Sequence, residues 1–261
     1  PAVSPASAAA VADVDGVGPV LSLLPLTGLG THHGAINALD ACATKPLLVS
    51  CGADCTIRVW DSSTLECLLL KQTAVEPLSA SMHPMGIFIA AGFGDKLRLF
   101  DVLFNDIRLA AELDAKGVTV CRFSHSGHLL AAISGTTIHI FVVHSLELLS
   151  TLSGHLGLPR SIHWAEGDHE LVSAGDDGAV FTWNVRTRER VHEHVARGRQ
   201  YCAIALDGSP EQGGLAIAAA GSSSSQAAED CFIRHIPEGA IVSEAIGEQR
   251  VTQLPISAVD R

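Results

Sequence analysis

No uninterrupted apolar run in this 261-residue chain reaches the roughly 18 residues a bilayer-spanning helix needs, so no transmembrane helix is expected. The Ala/Ser/Pro-rich opening, PAVSPASAAAVADV, lacks the basic start and apolar centre of a secretory signal, which predicts a soluble intracellular protein. Basic residues are scarce, 17 against 28 acidic ones. The net charge of -11 opposes the phosphate neutralisation on which non-specific nucleic-acid binding depends, and it equally disfavours an anionic membrane as partner. The seven cysteines, Cys42, Cys51, Cys55, Cys67, Cys121, Cys202 and Cys231, are odd in number and lie mostly in apolar strand-like runs. That pattern suits reduced, buried thiols in a reducing compartment better than a disulfide framework.

What is present is a core-forming composition, 47% apolar and 17% charged, and a repeat. GADCTIRVWD at 52 to 61 comes back as SAGDDGAVFTWN at 173 to 184, as AAGFGDKLRLFD at 90 to 101 and, worn, as ISGTTIHIFV at 133 to 142. The anchors Trp60, Phe100, Phe141 and Trp183 stand 40, 41 and 42 residues apart. Each unit holds four short apolar or alternating segments separated by turn residues, too short for helices. Four antiparallel strands in about 40 to 45 residues is the arithmetic of a β-propeller blade, so an all-β propeller is predicted. The expected blades are about 32–72, 78–113, 118–152, 155–195 and 201–246, with partial blades at PVLSLLPLT and VTQLPIS. Residues 1–18 are expected to form a flexible tail before a propeller over 19–261. Five whole units fall short of the usual seven, which predicts an incomplete ring and a piece of a longer protein. GSSSSQAAED at 221 to 230 is expected to lengthen a surface loop between the second and third strands of the fifth blade.

The tempting chemistry is a Ser-His-Asp set: His155, Ser173 and Asp177, the residue types of base, nucleophile and orienter. The repeat argues against it. His32, Ser50 and Asp54 form a second copy, and in both copies His stands 28, Ser 10 and Asp 6 residues before the Trp. A nucleophile is needed once, so a set copied with a Trp beside it is expected to serve the blade. At this point the chain resembles the WD-repeat family. The resemblance implies that Trp60, Ser50, His32 and Asp54, and likewise Trp183, Ser173, His155 and Asp177, form a hydrogen-bonded chain that staples the loop entering a blade. Asp61 is then a turn residue after its strand.

Other signals are weaker. GFGDKL at 92 to 97 precedes a strand and lacks the Lys-Ser/Thr ending of a phosphate loop. Cys51-x-x-x-Cys55 has no second pair, and His139, His163 and His169 share no plausible metal spacing, so neither metal nor cofactor is expected. Asp176 and Asp177 read as turn residues rather than paired catalytic carboxylates. RTRERVHEHVARGR at 186 to 199 carries five Arg against two Glu and reads as a solvated outer strand and loop, with a local contact surface as the alternative. No enzyme activity and no small-molecule substrate are expected.

The degenerate middle blades, GFGDKLRLFDVLFNDIRLAAEL, GTTIHIF and SLELLSTLSGHLGLPRSIHW, followed by SAGDDGAVFTWNVRT, resemble the first propeller of a family of cilia- and flagella-associated WD-repeat proteins. The similarity runs from about Gly30 to about Ile246. It implies a protein-binding adaptor on the axonemal doublet, with inner dynein arm components among its partners, two N-terminal propellers and a following coiled coil. The alternative is a general WD-repeat adaptor in another complex, in transport, RNA handling or ubiquitin-ligase substrate recognition. The partner-binding residues are unknown at this stage.

Overall fold

A computed structural model describes residues 31–196, 199–207, 216–223, 231–236 and 249–250. These residues form five four-stranded antiparallel sheets, the blades of a β-propeller. The first holds β1 (Ile36–Ala41), β2 (Leu47–Gly52), β3 (Thr56–Asp61) and β4 (Cys67–Gln72). The second holds β5 (Ser79–Met82), β6 (Phe88–Gly92), β7 (Leu97–Val102) and β8 (Ile107–Leu113). The third holds β9 (Val118–Phe123), β10 (Leu129–Ser134), β11 (Thr137–Val142) and β12 (Leu148–Ser153). The fourth holds β13 (Pro159–Trp164), β14 (Glu170–Gly175), β15 (Ala179–Asn184) and β16 (Arg190–Val195). The fifth holds β17 (Arg199–Asp207), β18 (Ala216–Ser223), β19 (Cys231–Ile236) and β20 (Gln249–Arg250).

Burial explains the order. The middle strands are sandwiched on both faces, and β3, TIRVWD, is buried at every position but the last, which its β-branched and aromatic residues suit. The outer strand β4 alternates half-buried and exposed, and β16 is exposed at almost every position. Each apolar cluster lies between two neighbouring sheets: Val49, Ile57 and Val59 of the first meet Met82, Ile89 and Phe93 of the second. Further clusters join the second to the third sheet, the third to the fourth, and the fourth to β17. The innermost strands β1, β5, β9, β13 and β17 touch in sequence, which stacks the blades around an axis.

Because the strands are antiparallel, the first and third turns of a blade lie at one end of it. The second turn and the loop to the next blade lie at the other. We call these the turn face and the loop face.

Two expectations are modified. Cys51 and Cys121 are buried, and burial pushes both thiols up to about 12, but Cys42, Cys55 and Cys67 are half-buried and Cys202 is exposed. The reason is position: Cys42 follows β1, Cys55 occupies a tight turn at φ 57° and Cys67 opens an outer strand. The serine run is also not all loop, since β18 extends through Ser223 and pairs Ser222 with Cys231 and Ser223 with Arg199. Ladder bonds need only backbone groups, so small polar side chains do not end the strand. A short 3-10 turn at Glu166–Asp168 joins β13 to β14 in the fourth blade. The expected tail, both partial blades and the stretch 237–246 that ends the expected fifth blade lie outside the described residues.

Candidate functional site

The loop face of the fourth blade carries the set built on Trp183. β14 places Ser173 and β15 places Trp183, and the tight turn between them brings Asp177 under His155 from the preceding loop. The Trp183 indole N–H donates to Ser173 Oγ at 2.8 Å, Ser173 Oγ and His155 Nε2 are 2.7 Å apart, and His155 Nδ1 meets Asp177 at 2.9 Å. A carboxylate only accepts, so Nδ1–H donates to Asp177, and an indole only donates, so the serine oxygen accepts; with the imidazole neutral, the serine O–H completes the chain by donating to Nε2. Burial holds His155 below its ordinary value, against the pull of Asp177. Burial pushes Asp177 up, but its interaction and hydrogen bond with the His155 ring and the amides of Ala179 and Leu156 offset it, and the carboxyl sits below its ordinary value.

The first blade repeats the chain. Trp60 Nε1 donates to Ser50 Oγ at 2.8 Å, Ser50 Oγ lies 2.7 Å from His32 Nε2, and His32 Nδ1 lies 3.0 Å from Asp54. Asp54 also accepts from the His33 amide, from the Thr56 amide and from Thr56 Oγ1. These bonds outweigh the upward push of burial and hold Asp54 well below the usual carboxylate range. One member was not foreseen. Arg58, 3% exposed, lies 3.6 Å from Asp54 through Nη2, where the fourth blade has Phe181 at the same register.

Chemically, this is the wiring of a Ser-His-Asp triad with its nucleophile sealed. Ser173 is 0% and Ser50 2% exposed, and each oxygen already accepts an indole proton. Attack on a substrate carbonyl needs an accessible lone pair. Both entering loops are instead tied down: Asp177 takes the amides of Leu156 and Gly157, and Asp54 takes that of His33, while Asp61 caps the turn after β3 by accepting from Ser63 and Thr64. Asp176 points elsewhere, forming a bidentate pair with exposed Arg160, so the two neighbouring carboxylates do not share a site.

The remaining candidates stay apart. Phe100 and Phe141 are buried as the corresponding anchors of the second and third blades. Gly94 sits in the turn before β7, and among the described residues no group of three or more His, Cys, Asp or Glu could hold a metal ion. His139 contacts Thr151, His163 contacts Arg122 and His169 is exposed. In the basic stretch, Arg188 bonds the Leu149 carbonyl and Arg190 pairs with Glu193.

Sequence reasoning missed a ladder on the innermost strands. Asp40, Ser81, Arg122 and His163 recur every 41 residues on β1, β5, β9 and β13. Ser81 Oγ donates to Asp40 at 2.8 Å and accepts the Phe123 amide at 3.2 Å, Arg122 meets His163 at 2.6 Å, and Trp164 donates to the Arg122 carbonyl. The signal was there, as a 41-residue period at polar positions, but polar types that differ from blade to blade conceal it.

The model of the WD domain, G-beta repeat, matches residues 24–61 and 146–184, which contain the two Trp-Ser pairs. Cilia- and flagella-associated protein 57 of Mus musculus is 38% identical over 217 residues, 82% of this chain and 17% of that protein. Cilia- and flagella-associated protein 57 C of Tetrahymena thermophila is 32% identical over 59% of this chain and 13% of its own length. Echinoderm microtubule-associated protein-like 2 of Rattus norvegicus is 26% identical over 61% of this chain and 26% of its own length. The chain spans less than a fifth of either of the first two relatives.

Proposed function

Since the chain is a WD-repeat protein with the fold of a β-propeller, we propose that it is a non-enzymatic scaffold that holds other proteins in place in a cilium or flagellum. The observation that carries the reading is the sealed serine: the one triad-like constellation occurs twice, is buried, and spends its hydroxyl on an indole. What is left for function is a row of blades with loops at both ends, and propeller blades of this kind serve as binding platforms, a reading that rests on fold analogy. The names of the relatives above 30% identity support the ciliary setting, and the microtubule-associated relative fits a cytoskeletal one. In its finer form the proposal puts the protein on the axonemal doublet, with inner dynein arm components among its partners and a role in motility.

The test is fractionation. Tagged full-length protein is expressed in a motile ciliated cell, the cilia are detached, and membrane and matrix are extracted with detergent. Retention on the axoneme is the expected result. Recovery only in the cell body overturns the ciliary proposal and favours an adaptor in another complex.

A further inference from the structure

The hydrogen-bonded chains occupy the loop face; the turn face collects apolar side chains and unpaired cations. Between the second and third sheets a groove of about 450 Å3 opens on that face, lined by Met85, Ile87, Phe88, Val143 and Leu146 with His128. Met85 is 58% exposed, Ile87 42% and Leu146 38%. Toward the axis lies a second cavity of about 200 Å3 lined by Asp40, Ser81, Arg122, His125 and His163. The turns at His83–Gly86 and Ser124–Gly127 contribute residues to both, so the two cavities adjoin. Gly127 is needed there: at φ 77° it lies so close to the His83 ring that an added Cβ would overlap it.

The charges around these cavities run against the chain as a whole. The net charge is -11, yet Asp40 is the single carboxylate in either lining, and it is occupied by Ser81 Oγ and the Met82 amide. Arg122 bonds the His163 ring, which burial first and the Arg122 charge second hold to about 4, so its partner is neutral. Lys45 rests against the 83–86 turn, its Cδ 3.2 Å from where a Cβ on Gly86 would stand. Among the described residues no carboxylate lies within ion-pair distance of Arg122 or Lys45.

We propose that the turn face docks a partner-protein segment that seats a leucine- or phenylalanine-sized side chain in the groove and pairs a nearby carboxylate with Arg122 or Lys45. The proposal rests on the scaffold reading and supplies its contact surface. A central apolar anchor with a charged neighbour is how short segments gain both affinity and register. A basic segment would leave both cations facing like charge.

The probe is an array of short synthetic peptides in which Leu or Phe is combined with Asp and Glu, or with Lys, read with tagged full-length protein. Acidic-apolar peptides are expected to bind. Leu146→Asp and Lys45→Glu should each weaken that binding about tenfold or more, with the unfolding midpoint unchanged, since Asp tolerates the left-handed backbone at Leu146, φ 61°. Equal binding to the variants, preference for the Lys peptides, or no binding by any peptide overturns the proposal. So does a dimer, seen by sedimentation, that Leu146→Asp dissolves, since the groove would then serve a second copy. Axonemal retention without peptide binding rejects this surface and leaves the scaffold standing; recovery in the cell body alone rejects the ciliary scaffold whatever the peptides do.

Discussion

The first and fourth blades hold a polar chain at their heart, and the second and third hold none. The strand registers align Ser50 and Ser173 with Ala91 and Ala132, and Trp60 and Trp183 with Phe100 and Phe141. Hydroxyl and indole are lost together, and both alanines are 0% exposed. The difference teaches how such a network is dispensed with. Removing one member strands a buried donor or acceptor, whereas replacing all members by apolar groups of similar shape is close to neutral. In place of the inner chain, the middle blades are tied to their neighbours by Ser81 to Asp40, by Ser79 to the Val118 carbonyl and by the Asp168 carboxylate to the amides of His125 and Ser126.

The hardest blow to this contrast is Trp183→Ala. The side chain is 2% exposed and packs on Phe181 and His155, so the cavity is expected to cost ~3–5 kcal/mol by chemical denaturation. An unchanged midpoint would mean that the anchor is not part of the folded core.

Next comes conversion of the fourth blade to the pattern of the middle ones. Ser173→Ala alone leaves the Trp183 N–H and His155 Nε2 without their partner, for about 1–3 kcal/mol. Combined with Trp183→Phe, which removes the stranded donor, the loss is expected to fall short of the sum of the two single losses by about 0.5–3 kcal/mol. Strict additivity in that double-mutant cycle would show that serine and indole do not act as a unit.

Much of this was legible in the sequence, and for a physical reason. Blade number and strand order follow from a 41-residue period, because each blade must present the same apolar faces to like neighbours. Both four-residue chains were readable because a buried Trp, Ser, His and Asp at constant spacing have little else to bond. Arg58 was not read as part of the chain, because the fourth blade has Phe181 at its register and the second blade's Arg98, at the same register, pairs with Asp95 and Glu112 instead. The Asp40–Ser81–Arg122–His163 ladder escaped for a related reason: it joins different blades, so its chemistry changes at every step while its position does not. Strand limits failed at the serine run, where β18 needs only backbone pairing.

The junction between a blade with the chain and one without it offers a pH test. His163 ordinarily titrates near 6.5 but is held to about 4 in the fold by burial and by Arg122. Below about pH 6.5 the unfolded chain takes up a proton that the folded protein refuses, so this stability is full above that pH and is lost as pH falls toward 4. His155, His83 and His139, also lowered by burial, act in the same direction, whereas the depressed carboxyls Asp54 and Asp177 add their loss only below about pH 4. His163→Gln is therefore expected to flatten the fall of the unfolding midpoint between pH 6.5 and 4. An unchanged slope would place the acid sensitivity elsewhere.

The smallest effect is expected at the turn between the second and third strands, where the two kinds of blade spend a carboxylate differently. Asp177 sits beneath His155 and takes backbone amides of the entering loop, while Asp95 pairs with Arg98 at 2.6 Å in the open. The shorter distance does not make the stronger contribution. Exposed pairs are screened by water and salt, and holding two long side chains costs entropy that offsets most of the attraction. Asp95→Asn should therefore shift stability by less than ~0.5 kcal/mol, and added salt should erase even that. Asp177→Asn should cost more, because an amide in its place turns one acceptor oxygen into a donor facing His155 Nδ1–H. Equal losses for the two substitutions would mean that the middle blades depend on their surface pairs as the outer ones depend on their buried chains, and the contrast between them would fail.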